Sequence, residues 1–247
     1  MIRTLKTDIV SHRGGTFLWP ENSLEAFGQS LDLPVEQVEC DVHLTADGVP
    51  VVIHDAVLNR LTDAKGPVSD RTLAELRQIR LRGGRGGHVP SLAEVAALFT
   101  GRQMRLQVEL KADAQGRAYP DLLDRTIAVL DEAGIRGQCL IITFDAVLAA
   151  SALAAGGFHR VIWLFEAGLL NQIGVEGVVA VARSYGFEMI ETEIGALDDA
   201  LVTRFQQEGL RIGAWGANHE ETLRKAFALG LDAVATDDPI LAVRLRG

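Results

Sequence analysis

Short β-branched runs alternate along the chain with stretches whose apolar residues recur at helical spacing. The runs predict strands at 8–11, 37–43, 104–110, 139–144, 160–165, 187–193, 211–215 and 233–236. Helical patterns fill most of the intervals, at 23–31, 91–99, 119–133, 145–155, 175–185, 197–208, 219–229 and 239–245. Asp198 and Asp199 fall in the first turn of one helix, where negative charge suits the dipole. Gly134, Gly209 and Gly230 stand where three helices would end. Eight strands, each with a helical crossover, predict an α/β fold of the (β/α)8 TIM-barrel type. A doubly wound sheet is the rival, but no glycine-rich dinucleotide fingerprint follows the first strand.

One run, Val49 to Ile53, is a strand too many for simple alternation. It follows Thr45-Ala46-Asp47-Gly48, and Asp-Gly between apolar runs predicts a hairpin after the second strand. A two-residue turn would pair position 46 with 49 and 41 with 54. His54 would then stand across from Asp41, with Cβ atoms about 5 Å apart. The least regular stretch is 55–90, which includes the Gly/Arg tract Arg82 to Gly87. It reads either as a flap over a site or as a solvated connector. It is too short for a separate domain, so residues 1–247 read as one domain with a short insertion.

Of the 247 residues, 48% are hydrophobic and 23% charged, which excludes a disordered chain. The formal charge of −9 argues against nucleic acid or an anionic membrane as partner. An anionic substrate would have to be attracted by a local site. No apolar run approaches the ~20 residues of a membrane span, and the N-terminus lacks a signal-peptide core. Cys40 and Cys139 lack metal-type spacing and read as reduced, buried thiols. These features predict a cytoplasmic protein without stable membrane insertion, and they leave its oligomeric state open.

Reactive residues of such a barrel collect at the C-terminal ends of the strands. His12 and Arg13 end the first strand, and the period of two puts Glu39, Asp41 and His43 on one face of the second. Glu109 and Lys111 share a face at the end of the third barrel strand, Trp215 closes the seventh and Asp237 follows the eighth. Three inward carboxylates, Glu39, Asp41 and Glu109, repel each other unless a cation sits among them. An all-oxygen set suits a hard cation such as Mg²⁺ or Ca²⁺ rather than structural zinc. The alternative is a solvated acidic rim paired with Arg13 and Lys111. Histidines nearby raise acid–base chemistry, because an imidazole titrates near neutrality.

The same residues carry a recognisable pattern. It runs through Ser11-His12-Arg13-Gly14-Gly15, Pro20-Glu21-Asn22-Ser23, Glu39-Cys40-Asp41-Val42, Thr45-Ala46-Asp47-Gly48 and Val51-Val52-Ile53-His54-Asp55. It continues through Val89-Pro90-Ser91-Leu92-Ala93-Glu94-Val95, Glu109-Leu110-Lys111, Trp215-Gly216-Ala217-Asn218 and Thr236-Asp237-Asp238-Pro239. In this order and spacing the motifs resemble those of the glycerophosphodiester phosphodiesterase family of barrel enzymes. The resemblance spans residues 11–239.

It implies metal-dependent hydrolysis of a small-molecule glycerophosphodiester to sn-glycerol 3-phosphate and an alcohol. By motif, the catalytic pair falls on His12 and His54, one as base and the other as acid; His12 as the base is the favoured order, and the sequence leaves it open. The ligands of one divalent cation, Mg²⁺ or Ca²⁺, fall on Glu39, Asp41 and Glu109. Arg13 and Lys111 fall on phosphate contacts, Asn22 on the loop over the phosphate, and Trp215 on the substrate side. Rivals on the same barrel are lysophospholipase D-like and phosphoinositide phospholipase activities, and, from another class, a binding protein without turnover. The first would call for an apolar rim, and the loops show no aromatic cluster that predicts one.

Gly216-Ala217 departs from the family's usual Thr-Val, and 55–90 is short beside the insertion of many relatives. Glu191 and Glu193 end the sixth barrel strand on one face. They read either as selectors of a cationic leaving group or as a rim pair bonded to arginine or water.

Overall fold

The computed structural model describes residues 6–83 and 87–247. Gly84, Arg85 and Gly86 of the Gly/Arg tract and residues 1–5 of the N-terminal reading lie outside the described residues. Strands form at β1 (Asp8–Ser11), β2 (Gln37–Leu44), β3 (Pro50–Val52), β4 (Arg105–Leu110), β5 (Cys139–Thr143) and β6 (Arg160–Leu164). β7 (Met189–Glu193), β8 (Arg211–Trp215) and β9 (Ala233–Thr236) complete the set. All but β3 pair in parallel, and β1 joins β9 on one side and β2 on the other. The ring is therefore a closed eight-stranded barrel with helices between its strands, as the alternation predicts.

Two-residue periodicity sorts the strand side chains into two layers. Val38, Cys40, Val42, Leu106, Val108 and Ile141 face out, into the main apolar layer under the helices. Val10, Leu140, Ile142, Ile162, Leu164 and Met189 fill the barrel interior. Against that interior, the buried acids Glu39, Asp41, Glu109 and Glu191 stand out. Cys40 and Cys139 are buried free thiols, and burial pushes the Cys139 thiol up to about 12.

The helices start where capping residues allow. Ser23 accepts the Ala26 N–H at the start of α1 (Leu24–Ser30). Further along, Ser91 and Glu94 form a reciprocal capping box that opens α3 (Leu92–Phe99). α4 (Leu122–Glu132), α5 (Ala146–Ala155), α7 (Asp199–Gln207), α8 (Glu220–Ala228) and α9 (Pro239–Arg246) fall within the predicted stretches or within one residue of them. α6 (Ala167–Tyr185) holds two helical stretches that meet at a kink at Gly174 (φ 67°, ψ 178°); the predicted helix from 175 is the second of them, and the stretch before the kink is not predicted. Among the described residues no helix is long and apolar enough to cross a membrane.

Two expectations need correction. The hairpin turn holds three residues, not two. Thr45 N–H donates to the Val49 carbonyl at 3.1 Å, while its hydroxyl accepts the Val49 N–H and donates to Asp47. Val42 therefore pairs with Val52 and His43 with Val51, and Asp41 faces Ile53 instead of His54. Segment 55–90 is also more than a connector. It includes α2 (Leu73–Leu76), opened by a Thr72–Glu75 capping box, and packs Leu58, Val68, Leu76 and Leu81 on Val51 and Ile53.

Candidate active site

The loop after β1 is shaped by backbone no ordinary residue prefers. Gly14 has φ 80° and lies so close to α1 that a Cβ there would meet the Ala26 Cβ at 2.7 Å. Arg13 (φ 50°) and Asn22 (φ 56°) are held in the left-handed region without being glycine, a strain characteristic of functional sites. The strain aims both side chains at β2. Arg13 N–H donates to Glu39 Oε2 at 3.0 Å, and its Nε lies 3.2 Å from Asp41 Oδ2. Asn22 Nδ2 donates to Asp41 Oδ2 at 2.7 Å, and the Asp41 N–H donates back to Asn22 Oδ1 at 3.3 Å.

Glu39, Asp41 and Glu109 converge: each offers an oxygen within 4.8 Å of the others. Lys111 Nζ lies 2.7 Å from Glu109 Oε1 and 3.4 Å from Asp41 Oδ1. Burial, with the two neighbouring acids, pushes the Glu39 carboxyl up. Glu109 is also raised by burial, against the pull of Lys111. For Asp41 burial is outweighed by Lys111 and Arg13, and its carboxyl is held low. Glu39 Oε1 and Asp41 Oδ1 accept no hydrogen bond. A buried, all-oxygen set in which Glu39 Oε1 has no hydrogen-bond partner and Asp41 Oδ1 has only the Lys111 ion pair fits a hard divalent cation. An acidic rim in solvent does not describe it.

The two histidines arrive differently. His12 Nδ1 lies 2.6 Å from Asp237 Oδ1, and its Nε2 lies 3.9 Å from Glu39 Oε2. Burial pushes the Asp237 carboxyl up, but its bond to His12 outweighs this and holds it low. Asn218 Nδ2 donates to the other Asp237 oxygen at 2.6 Å. His54 Nδ1 lies 2.7 Å from Asp55 Oδ1. Although the register slip removes His54 from the position opposite Asp41, the residue still lines one cavity of about 180 Å³ with His12, Arg13, Glu39 and Lys111. In each histidine a carboxylate engages Nδ1 and leaves Nε2 for a ligand.

Three residues of this arrangement have no role assigned from the sequence. Asp55 and Asp237 orient the histidines, and Arg60 makes paired hydrogen bonds to Asp55 on one side and Glu21 on the other. Glu21 in turn bonds Arg13 at 3.2 Å, so an unbroken chain of charges joins His54 to Arg13. Acids directly after His54 and after the last barrel strand were visible signals. Arg60 gave none.

His43 shares the face of Asp41 but bonds the His54 carbonyl and the Tyr119 hydroxyl, each at 3.1 Å. Burial lowers it to about 4, so it is a neutral prop for the His54 backbone. Trp215 lines the cavity and meets Phe144 edge-on at 5.4 Å. Phe17, Leu18 and Phe144 are exposed, so the loops carry more apolar surface than their sequence suggested. Glu191 and Glu193 are not a rim pair. Glu193 Oε2 accepts the Ala167 N–H at the start of α6, whereas Glu191 is buried in the cavity wall.

The model of the glycerophosphoryl diester phosphodiesterase family matches residues 12–241. The chain belongs to this family. It is 26% identical to a glycerophosphodiester phosphodiesterase of Caldanaerobacter subterraneus subsp. tengcongensis over 246 residues, covering 98% of both proteins. A solved structure from Agrobacterium tumefaciens str. C58, provisionally named a glycerophosphoryl diester phosphodiesterase, superposes with TM-score 0.95 at 31% identity over 97% of each chain. An Oleispira antarctica phosphodiesterase, solved with the product sn-glycerol-3-phosphate, is 25% identical with TM-score 0.80 and 96% of each chain covered. Members of this family are phosphoric diester hydrolases, and the chain is an enzyme of that class.

Proposed function

We propose that the protein hydrolyses glycerophosphodiesters to sn-glycerol 3-phosphate and an alcohol. The observation that carries this reading is the convergence on one cavity of two carboxylate-oriented histidines, Arg13, Lys111 and a buried acidic triad. The product held by the Oleispira antarctica relative supports it. Glu39, Asp41 and Glu109 would hold one divalent cation, Mg²⁺ or Ca²⁺, with Asn22 and Arg13 fixing Asp41. When bound, such a cation would offset two of the triad's three negative charges and polarise a phosphoryl oxygen.

The side chains do the rest. The guanidinium of Arg13 and the ammonium of Lys111 face the phosphoryl oxygens and stabilise the negative charge that grows on them. His12, its Nδ1–H donating to the Asp237 carboxylate, presents an Nε2 lone pair that deprotonates the nucleophile. His54, oriented by Asp55, donates a proton from Nε2 to the departing alkoxide. Each transfer is worth ~10²- to 10⁴-fold. Trp215 supplies an apolar wall for substrate carbon. First and last strands both contribute to this site, which supports residues 1–247 acting as one catalytic domain, and the buried free thiols suit a cytoplasmic setting.

A second reading is favoured by one observation. The exposed Phe17, Leu18 and Phe144 would suit lysophospholipids, whose diester is cleaved by the same groups. The test is release of glycerol 3-phosphate from glycerophosphocholine and glycerophosphoethanolamine, with and without chelator, beside a lysophosphatidylcholine arm. Full activity in excess chelator would overturn the cation assignment. A His54→Ala variant at wild-type rate would overturn the acid. Turnover of the lysolipid alone would favour the second reading.

A further inference from the structure

The reaction proposed above gives Glu191 no task. Its side chain is 3% exposed, lines the same cavity as His12, Arg13 and Glu39, and has an Oε1 that accepts no hydrogen bond. It enters from β7, three strands round the ring from Glu109 on β4. Gly213 is its neighbour in register, and a Cβ there would lie 2.5 Å from Glu191 Oε1. The carboxyl therefore lies in the space that a side chain at position 213 would fill. The cavity lining combines apolar Ile142, Leu164, Ala235 and Trp215 with the polar side chains of Gln107 and Glu109.

A buried polar group without a partner destabilises a fold, so its retention calls for a ligand. Burial, with Glu109 and Asp232 adding to it, pushes the Glu191 carboxyl up to about 8. At neutral pH it is a carboxylic acid with an O–H to donate and a carbonyl to accept, in a cavity that also offers hydrocarbon surface. That combination complements an alcohol hydroxyl on a short carbon chain. The cavity's position decides which half of the substrate it meets. A second, larger cavity of about 740 Å³ opens past His54 and Lys111 towards Asp145 and Glu166. The proposed acid His54 borders both cavities, whereas Glu191 and the proposed base His12 border only the smaller one, so the larger is the side reached by the acid and not by the base. The leaving alcohol belongs on that side, which leaves the smaller cavity to the half retained on phosphorus.

We propose that Glu191 reads a free hydroxyl of the substrate's glycerol unit, whose carbons lie against Leu164, Ala235 and Trp215. The proposal rests on the phosphodiesterase reading above. It makes Glu191 a determinant of specificity for a polyol phosphate over a plain alkyl phosphate.

The test compares binding of glycerol 3-phosphate with that of n-propyl phosphate, which has the same carbons and no free hydroxyl. Calorimetric titration at one fixed divalent-cation concentration makes the ratio of the two affinities independent of the phosphate contacts. The wild type should prefer glycerol 3-phosphate on the order of tenfold, the value of about one hydrogen bond. Glu191→Leu should abolish the preference with propyl phosphate binding unchanged, while Glu191→Gln should keep most of it. Gly213→Ala, which displaces the carboxyl without removing it, should behave like Glu191→Leu. A melting temperature of Glu191→Leu no lower than wild type shows that the fold is intact.

An undiminished preference in Glu191→Leu and Gly213→Ala, in a protein that turns over glycerophosphocholine, overturns this proposal alone. Loss confined to glycerophosphocholine, with glycerophosphoglycerol spared, overturns it in favour of cation selection. A wild type that binds neither phosphate and hydrolyses neither diester overturns the phosphodiesterase reading, and the proposal with it.

Discussion

Replacing Asp237 by asparagine exchanges one oxygen for an amide nitrogen and tests the role given to His12. The low-held carboxylate of Asp237 accepts from both sides: His12 Nδ1 at 2.6 Å on one oxygen and Asn218 Nδ2 at 2.6 Å on the other. An asparagine has one acceptor and one donor to offer the same two donors. Asn218 cannot turn its amide to suit, because its Oδ1 accepts the backbone N–H of residue 237 at 2.9 Å. The contact that yields is His12. Its Nδ1 becomes the acceptor and the ring proton moves to Nε2, the nitrogen that faces Glu39 and the cavity.

A protonated, neutral Nε2 takes no proton, so the whole contribution of the base is lost. That is ~10²- to 10⁴-fold in kcat, and the equivalent change in a serine protease triad lowers kcat by ~10⁴-fold. KM should stay within about threefold, since uniform binding by Arg13 and Lys111 is untouched. Exchanging one hydrogen bond costs about 1 kcal/mol, or roughly 2–4 °C of melting temperature. The assay is initial-rate release of glycerol 3-phosphate from glycerophosphocholine, with thermal unfolding of the same preparation. A kcat within fivefold of wild type, in a folded variant, would refute the tautomer argument.

A divalent cation at 100 times its Kd should stabilise the protein by about 2.7 kcal/mol, roughly 5–10 °C by scanning fluorimetry. Glu39→Gln should shrink that rise, and no shift with either Mg²⁺ or Ca²⁺ would count against the triad as a cation site. Arg60→Ala cuts the link between Asp55 and Glu21 and should lower kcat/KM on the order of tenfold, while its half-exposed ion pairs contribute under ~1 kcal/mol to stability. Arg60→Lys should not rescue it, because an ammonium cannot make paired bonds to two carboxylates at once; wild-type kcat/KM in either variant would dismiss the link. Glu191, raised to about 8 from an ordinary 4.5, binds a proton in the folded state that the unfolded chain releases across that window. Its contribution to stability is therefore present below about pH 4.5 and is lost as pH rises towards about 8. The melting temperature of Glu191→Leu relative to wild type should accordingly rise between about pH 5 and pH 8, and a constant difference would refute the assignment.

The barrel was legible because its two periodicities are strong and local. Every barrel strand has β-branched or apolar outward positions, and the ring needs no other instruction. The triad was legible for the same reason, since Glu39, Asp41 and Glu109 are fixed by strand parity alone. Where a side chain overrides the backbone, parity fails. The Thr45 hydroxyl adds a residue to the hairpin turn and slips the register by one. Gly174, at φ 67°, is a break the pattern did register, since the predicted helix begins at 175, just after the kink in α6. Arg60 was hidden because its two partners lie 5 and 39 positions away, a distance no local pattern spans. The capping box at Thr72–Glu75, by contrast, was written in the sequence and marks a helix inside the segment that looked irregular.

His12 and Asp237 are 225 positions apart and meet only across the seam where β1 joins β9. Contacts of such separation form late, because the loop they close is nearly the whole chain. On the proposed roles, a ribosome that has released seven of the eight barrel strands has made the strands that carry Glu39, Asp41 and Glu109, while the carboxylate that would orient His12 is still to come. Refolding should show the same order, with the far-ultraviolet signal of the helices returning before turnover. Closure of the ring works as a timer. The hydrolase stays silent towards its surroundings until the last strand has docked.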